Sequence, residues 1–119
     1  FVTYIFWEAT PPELRHFVAN PARGSIHNRG CAADITLYEL STGLPVKMVG
    51  GYDEMTQRSN REYPGGTTKE RWLRGLLRHA LALHNFTVYI YEWWHFDYID
   101  SDKYPIGNLG FDQLETNFY

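Results

Sequence analysis

One cysteine in 119 residues cannot close a disulfide within the chain, so nothing in the sequence asks for an oxidising compartment. The cytoplasm fits that reading, and a periplasmic location stays open because periplasmic proteins also do without disulfides. No stretch near the start joins a basic segment to a long apolar run, so neither a signal peptide nor a membrane span is expected. Surplus basic charge is missing as well: 11 Lys and Arg against 14 Asp and Glu leave a net charge of −3. The basic residues are scattered rather than interleaved with aromatics, which argues against a nucleic-acid surface. No repeat or linker divides the chain, so residues 1–119 are expected to form a single domain. It opens on Phe1 rather than Met and reads as the C-terminal portion of something longer.

What is present is a globular composition, 44% hydrophobic and 17% aromatic, which favours strands and an aromatic-walled cleft over a helical bundle. Residues 1–7 fit either a strand or the tail of a helix. Thr10-Pro11-Pro12-Glu13 has the form of a capping box with Thr10 as N-cap, predicting a short helix to about Val18, ended by Asn20-Pro21. Short strands are expected at 24–26 and 33–40, with 45–49 as a hairpin partner after the turn at Ser41-Thr42-Gly43. Residues 52–68 read as a long surface loop. The clearest helix is 69–84, N-capped by Thr68, with Trp72, Leu73, Leu76, Leu77, Ala80, Leu81 and Leu83 as its apolar stripe and Arg71, Arg74 and Arg78 outside it. A strand over 86–91 should turn Val88 and Ile90 inward, residues 93–99 should continue extended, and the tail from Asp100 should be loop.

Chemistry concentrates in Ser25-Ile26-His27-Asn28-Arg29-Gly30-Cys31-Ala32-Ala33-Asp34. Asn28-Arg29-Gly30 is turn chemistry, Gly30 being free to take positive φ, so the reversal brings His27 and Asp34 towards one point. Nitrogen and oxygen donors of this kind suit Zn²⁺, and Glu92-Trp93-Trp94-His95 is the obvious source of a third ligand. A single histidine in such a place is ordinarily a polar or core residue; the joint occurrence with Glu-x-x-His is the rarer pattern. Three protein ligands, His27, Asp34 and His95, leave a fourth position for water, which is the catalytic rather than the structural arrangement. Glu92 would then serve as general base. Residues three apart on a regular strand face opposite ways, so Glu92 and His95 can share a face only if the chain bends at Trp93-Trp94. Cys31 reads as a small semi-buried residue, His79 and His84 as surface or helix C-terminal residues, and the Trp93-Trp94 pair as core and cleft wall.

Assembled in this order, residues 25–34 resemble the SxHxxGxAxD motif, and Glu92-Trp93-Trp94-His95 the ExxH motif, of the VanX-type D-alanyl-D-alanine dipeptidases of zinc metallopeptidase family M15. Asp34-Ile35-Thr36-Leu37-Tyr38, the Ser-Thr-Gly turn and Gly51-Tyr52-Asp53-Glu54-Met55 are similar to that family in the same order and spacing. The resemblance implies an α+β domain with a central antiparallel sheet and packed helices, the zinc D,D-peptidase (hedgehog/DD-peptidase-like) fold. It implies one Zn²⁺ per chain on His27, Asp34 and His95, with Glu92 as catalytic base. Ser25 and Asp53 would hold the substrate, D-alanyl-D-alanine or a similar small D,D-dipeptide, with Asp53 pairing its free amino group. Two alternatives stand beside it: a D,D- or L,D-carboxypeptidase of peptidoglycan stem peptides, and a truncated zinc- or peptide-binding module without activity. The second draws on a departure from the family, whose Tyr-Arg-Pro segment with its oxyanion-stabilising arginine is not found upstream of Phe6-Trp7.

Overall fold

The computed structural model describes residues 2–108, so Phe1 and the end of the expected C-terminal loop, from residue 109, lie outside them. Of the two readings open for the first residues, the helix is the one observed: α1 spans Val2–Ala9. The capping box expected at Thr10 does not form. Thr10 Oγ1 instead donates back to the Phe6 carbonyl at 2.6 Å, closing the end of α1, and the helix that follows, Pro12–Phe17, is a 3-10 helix with no side-chain cap. A hydroxyl at such a junction can serve either neighbour, and here the preceding carbonyl wins.

The strand expected at 24–26 is replaced by a 3-10 helix, Ile26–Arg29, because the Ser25 hydroxyl accepts from the His27 amide at 3.2 Å and starts a helical turn. Gly30 ends it at φ 66°, as the turn chemistry requires. The chain then enters β1, Ala32–Asp34. The expected strand over 33–40 is cut short. Its hairpin with 45–49 survives as one isolated bridge, Tyr38 to Pro45, flanked by bonds from Glu39 N to Leu44 O and Val46 N to Leu37 O, both 2.9 Å. Pro45 has no N–H to extend the ladder.

The expected surface loop at 52–68 is packed inward over its middle. It carries a 3-10 helix, Gln57–Ser59, and Ser59 is fully buried, its carbonyl accepting from Trp93 N at 2.9 Å. Helix α2, Thr68–Ala82, begins one residue earlier than the pattern suggested. Thr67 is its N-cap, accepting from Glu70 N at 3.2 Å while its own amide donates to Glu70 Oε2 at 2.7 Å, a reciprocal capping box. Only Leu73 and Leu77 of the apolar stripe are buried, with Leu81 partly so; Trp72, Leu76 and Leu83 are exposed. Arg74, expected outside, reaches the Asn60 and Tyr63 carbonyls at 3.3 and 3.0 Å, tying the preceding loop to the helix.

β2, Phe86–Val88, and β3, His95–Tyr98, are shorter than the runs expected, and Ile90 is 49% exposed rather than inward. The three strands form an antiparallel sheet in the order β1-β3-β2, which with the helices makes the expected α+β arrangement. Register sorts the two faces. Ala33, Phe96 and Val88 are cross-strand neighbours on the side of the core, which also holds Met48, Val49, Leu73, Leu77, Trp93 and Trp94. Asp34 pairs with His95, and Asp97 lies between Ala32 and Thr87, on the opposite face.

Candidate metal centre

The central strand presents His95 and Asp97 away from the core because Phe96, fully buried, points into it. Opposite His95 sits Asp34, placed there by strand pairing. His27 arrives from the 3-10 helix next to β1, held by the Ser25 cap at one end and Gly30 at the other. A strap from the C-terminal side secures that turn: Gly107 N donates to Asn28 O at 2.7 Å, and the Arg29 guanidinium bonds the Tyr104 carbonyl.

These three side chains converge. His27 Nε2 lies 3.1 Å from His95 Nδ1 and 3.5 Å from Asp34 Oδ2, and His95 Nδ1 is 2.9 Å from Asp34 Oδ1. One ligand atom from each falls within 4.8 Å of the others. The His27 and Asp34 side chains are 41% and 33% exposed, so the point where they meet opens to solvent on one side. Such a set of two imidazole nitrogens and a carboxylate suits a first-row transition ion better than Ca²⁺ or Mg²⁺, which take oxygen cages.

Glu92 is brought alongside by the bend the sequence required. Residues 92–95 form a turn closed by His95 N donating to Glu92 O at 3.3 Å, with Trp93 N anchored on Ser59 O and Trp94 O accepting from Ile35 N at 2.8 Å. The two indoles, 1% and 2% exposed, are the buried side of that turn. Glu92 Oε2 comes 3.8 Å from His95 Nδ1.

Electrostatics separates the acids. Burial pushes the Glu92 carboxyl up to about 7, and the Asp34 and Asp53 carboxylates reinforce this against the opposing charges of His95 and His27. Burial also works to raise Asp34, but hydrogen bonds to His27 and His95 outweigh it and hold that carboxyl well below the usual range. His95 loses to burial and gains more from hydrogen bonds to Asp34 and Asp97, so it rises to about 10. Two carboxyls within one site are thus driven apart, one ionised throughout and one poised near neutrality.

Asp53 sits in the left-handed region, φ 58°, and its carboxyl is raised by burial and by Asp34, which places it within electrostatic reach of the centre. Ser25 does not touch the three converging side chains; its oxygen is taken up by the His27 amide. Cys31, expected to be semi-buried, is buried, its thiol turned to Arg29 O, and His79 and His84 are exposed at the end of α2. Beside Asp34 opens a cleft of about 790 Å³ walled by Tyr38, Met48, Tyr52 and Trp93, the aromatic-lined space the composition suggested. Sequence reasoning overlooked Asp97, whose Oδ1 lies 2.9 Å from His95 Nε2. The signal was available: His-x-Asp on a strand puts both side chains on one face.

The family model Peptidase_M15, described as D-ala-D-ala dipeptidase, matches residues 7–113. The D-alanyl-D-alanine dipeptidase of Enterococcus faecalis is 39% identical over 84 residues, 71% of this chain and 41% of the relative. That of Enterococcus faecium is 40% identical over 91 residues, 76% of this chain and 44% of the relative. That of Escherichia coli K12 is 32% identical over 102 residues, 86% of this chain and 51% of the relative. The chain spans about half the length of the curated relatives it matches.

Proposed function

Since the chain belongs to the M15 peptidase family of D-ala-D-ala dipeptidases, we propose that it carries the zinc site and the general base of a VanX-type dipeptidase acting on D-alanyl-D-alanine. The observation that carries this reading is the convergence of His27 Nε2, the Asp34 carboxylate and His95 Nδ1, with the Glu92 carboxylate beside them. Ligands about 2.0–2.1 Å from a tetrahedral Zn²⁺ lie roughly 3.3 Å from one another. His27 Nε2 and His95 Nδ1 are 3.1 Å apart, and each lies within 3.5 Å of an Asp34 oxygen, Oδ2 for His27 and Oδ1 for His95, so the donor set is of a size that suits the ion.

When bound, Zn²⁺ supplies Lewis acidity, acidifying water and polarising a carbonyl. Glu92 does the proton transfer: its carboxylate takes a proton from the attacking water and returns it to the leaving amine. Burial makes this carboxylate a stronger base than an exposed one, which suits it to accept that proton. Asp53 supplies the anion for the free ammonium of a dipeptide, and an N-blocked peptide would leave that carboxylate unpaired. Ser25 accepts from His27 N on one of its two lone pairs, which leaves its O–H to donate to the substrate.

The test is hydrolysis of D-alanyl-D-alanine by the zinc-loaded chain, with an N-acylated dipeptide as the second substrate. Glu92→Gln is expected to keep stoichiometric zinc and to lose about 10²–10⁴-fold in turnover; His27→Ala or His95→Ala should lose the zinc. Equal cleavage of the blocked substrate identifies a carboxypeptidase instead. Zinc-loaded protein that cleaves neither identifies a binding module.

A further inference from the structure

Resting on the zinc reading above, we infer that Asp97 is the positioning residue of the site, fixing the His95 ring so that Nδ1 presents its lone pair to the metal. The imidazole is gripped at both nitrogens. Nδ1 faces Asp34 at 2.9 Å and Nε2 faces Asp97 Oδ1 at 2.9 Å, while the Tyr89 ring meets it edge-on at 5.7 Å. A neutral imidazole carries one N–H. With a cation on Nδ1, that hydrogen must sit on Nε2, where Asp97 is the group that accepts it.

Asp97 suits no competing task among the described residues. His95 is its one ion-pair partner there, and its side chain is only 21% exposed, so the carboxylate gives up much of its hydration for this single contact. The strand supplies the placement: Asp97 follows His95 by two residues on β3, hence on the same face, and its cross-strand neighbour is Ala32, whose methyl leaves the imidazole and the carboxylate room to lie side by side. In a site of low local dielectric this charge-assisted bond holds the ring's orientation and raises the basicity of Nδ1.

The experiment measures zinc dissociation constants of the chain by chelator competition for wild type, Asp97→Asn and Asp97→Ala, together with the melting of each metal-free protein. Asn keeps an acceptor without the charge, so the expected order of affinity is wild type, then Asn, then Ala, with Ala about 10–100-fold weaker than wild type. Metal-free melting of the Asn variant should fall modestly, because its ion pair with protonated His95 is lost, so affinities are compared at a temperature where every variant is folded. Should Ala fail to fold, the Asn variant decides: weaker zinc in fully folded protein supports the role. Zinc affinities equal to wild type in the folded variants overturn it, as does an affinity that recovers to the wild-type value when the temperature is lowered. A wild-type chain that binds no zinc overturns both this role and the metal reading beneath it.

Discussion

Glu92 and His95 share a turn and a buried wall, and both hold protons more tightly in the folded chain than in the unfolded one. Glu92 rises from 4.5 to about 7 and His95 from 6.5 to about 10. For a raised pKa the stability contribution is full below the unfolded value and lost as pH climbs through the folded one. Asp34 has the opposite sign: its contribution is present above 3.8 and lost as pH falls. Between pH 5 and pH 9 the first two groups therefore set the slope, and metal-free protein should melt at progressively lower temperature across that window. Glu92→Gln should flatten the part below pH 7 and leave the part above it. Thermal melts in chelator at a series of pH values check this, and a melting temperature that climbs with pH would contradict the assignment. Zinc affinity should run the other way, tightening as pH rises, because the proton on His95 competes with the ion.

At the scale of elements, the site hangs on one strand pair and two turns. Thr67 caps α2 far along the chain from the proposed metal ligands, whereas Gly30 ends the short helix that carries His27. Thr67→Ala should cost about 1 kcal/mol of stability with zinc affinity unchanged. At Gly30 a Cβ meets nothing within 4 Å, so Gly30→Ala is opposed by its φ of 66° alone, about 1–2 kcal/mol. Because that strain falls on the turn holding His27, zinc affinity should drop as well. Paired denaturant and chelator titrations separate the two, and identical zinc affinity in both variants would show that the turn does not govern His27. The pattern of α2 was readable because several turns of helical periodicity average out local noise. Strands of three or four residues are too short for alternation to declare itself. Single hydroxyls at junctions decided the rest: Thr10 bonded backwards, and Ser25 turned an expected strand into a helical turn.

Across the whole molecule, the proposed ligands lie on segments separated by more than sixty residues, and the sheet joining them is three short strands. An ion shared by β1, β3 and the turn before β1 should tie these together. Zinc at 100 times its dissociation constant should add about 2.7 kcal/mol to unfolding, read as a melting temperature that rises on loading and returns on chelation; a melting temperature indifferent to zinc would count against the shared site. Residue identity alone offered the donor types that could meet a metal and required a bend between Glu92 and His95 if both were to face it, since donor chemistry and turn residues are local properties; the α+β fold followed from the resemblance of whole motifs to a known family. Which apolar faces are covered was decided only by tertiary structure. Trp72, Leu83 and Ile90 look like core by spacing and lie exposed, while Ser59 and Arg74 look like surface and are drawn inward to loop and turn backbone. Asp97 stands between the two: His-x-Asp on one strand already set it on the His95 face, whereas only the register placed it beside Ala32, with its carboxylate at the ring nitrogen turned away from Asp34; pairing across distant segments is a geometric fact that no run of neighbouring residues encodes.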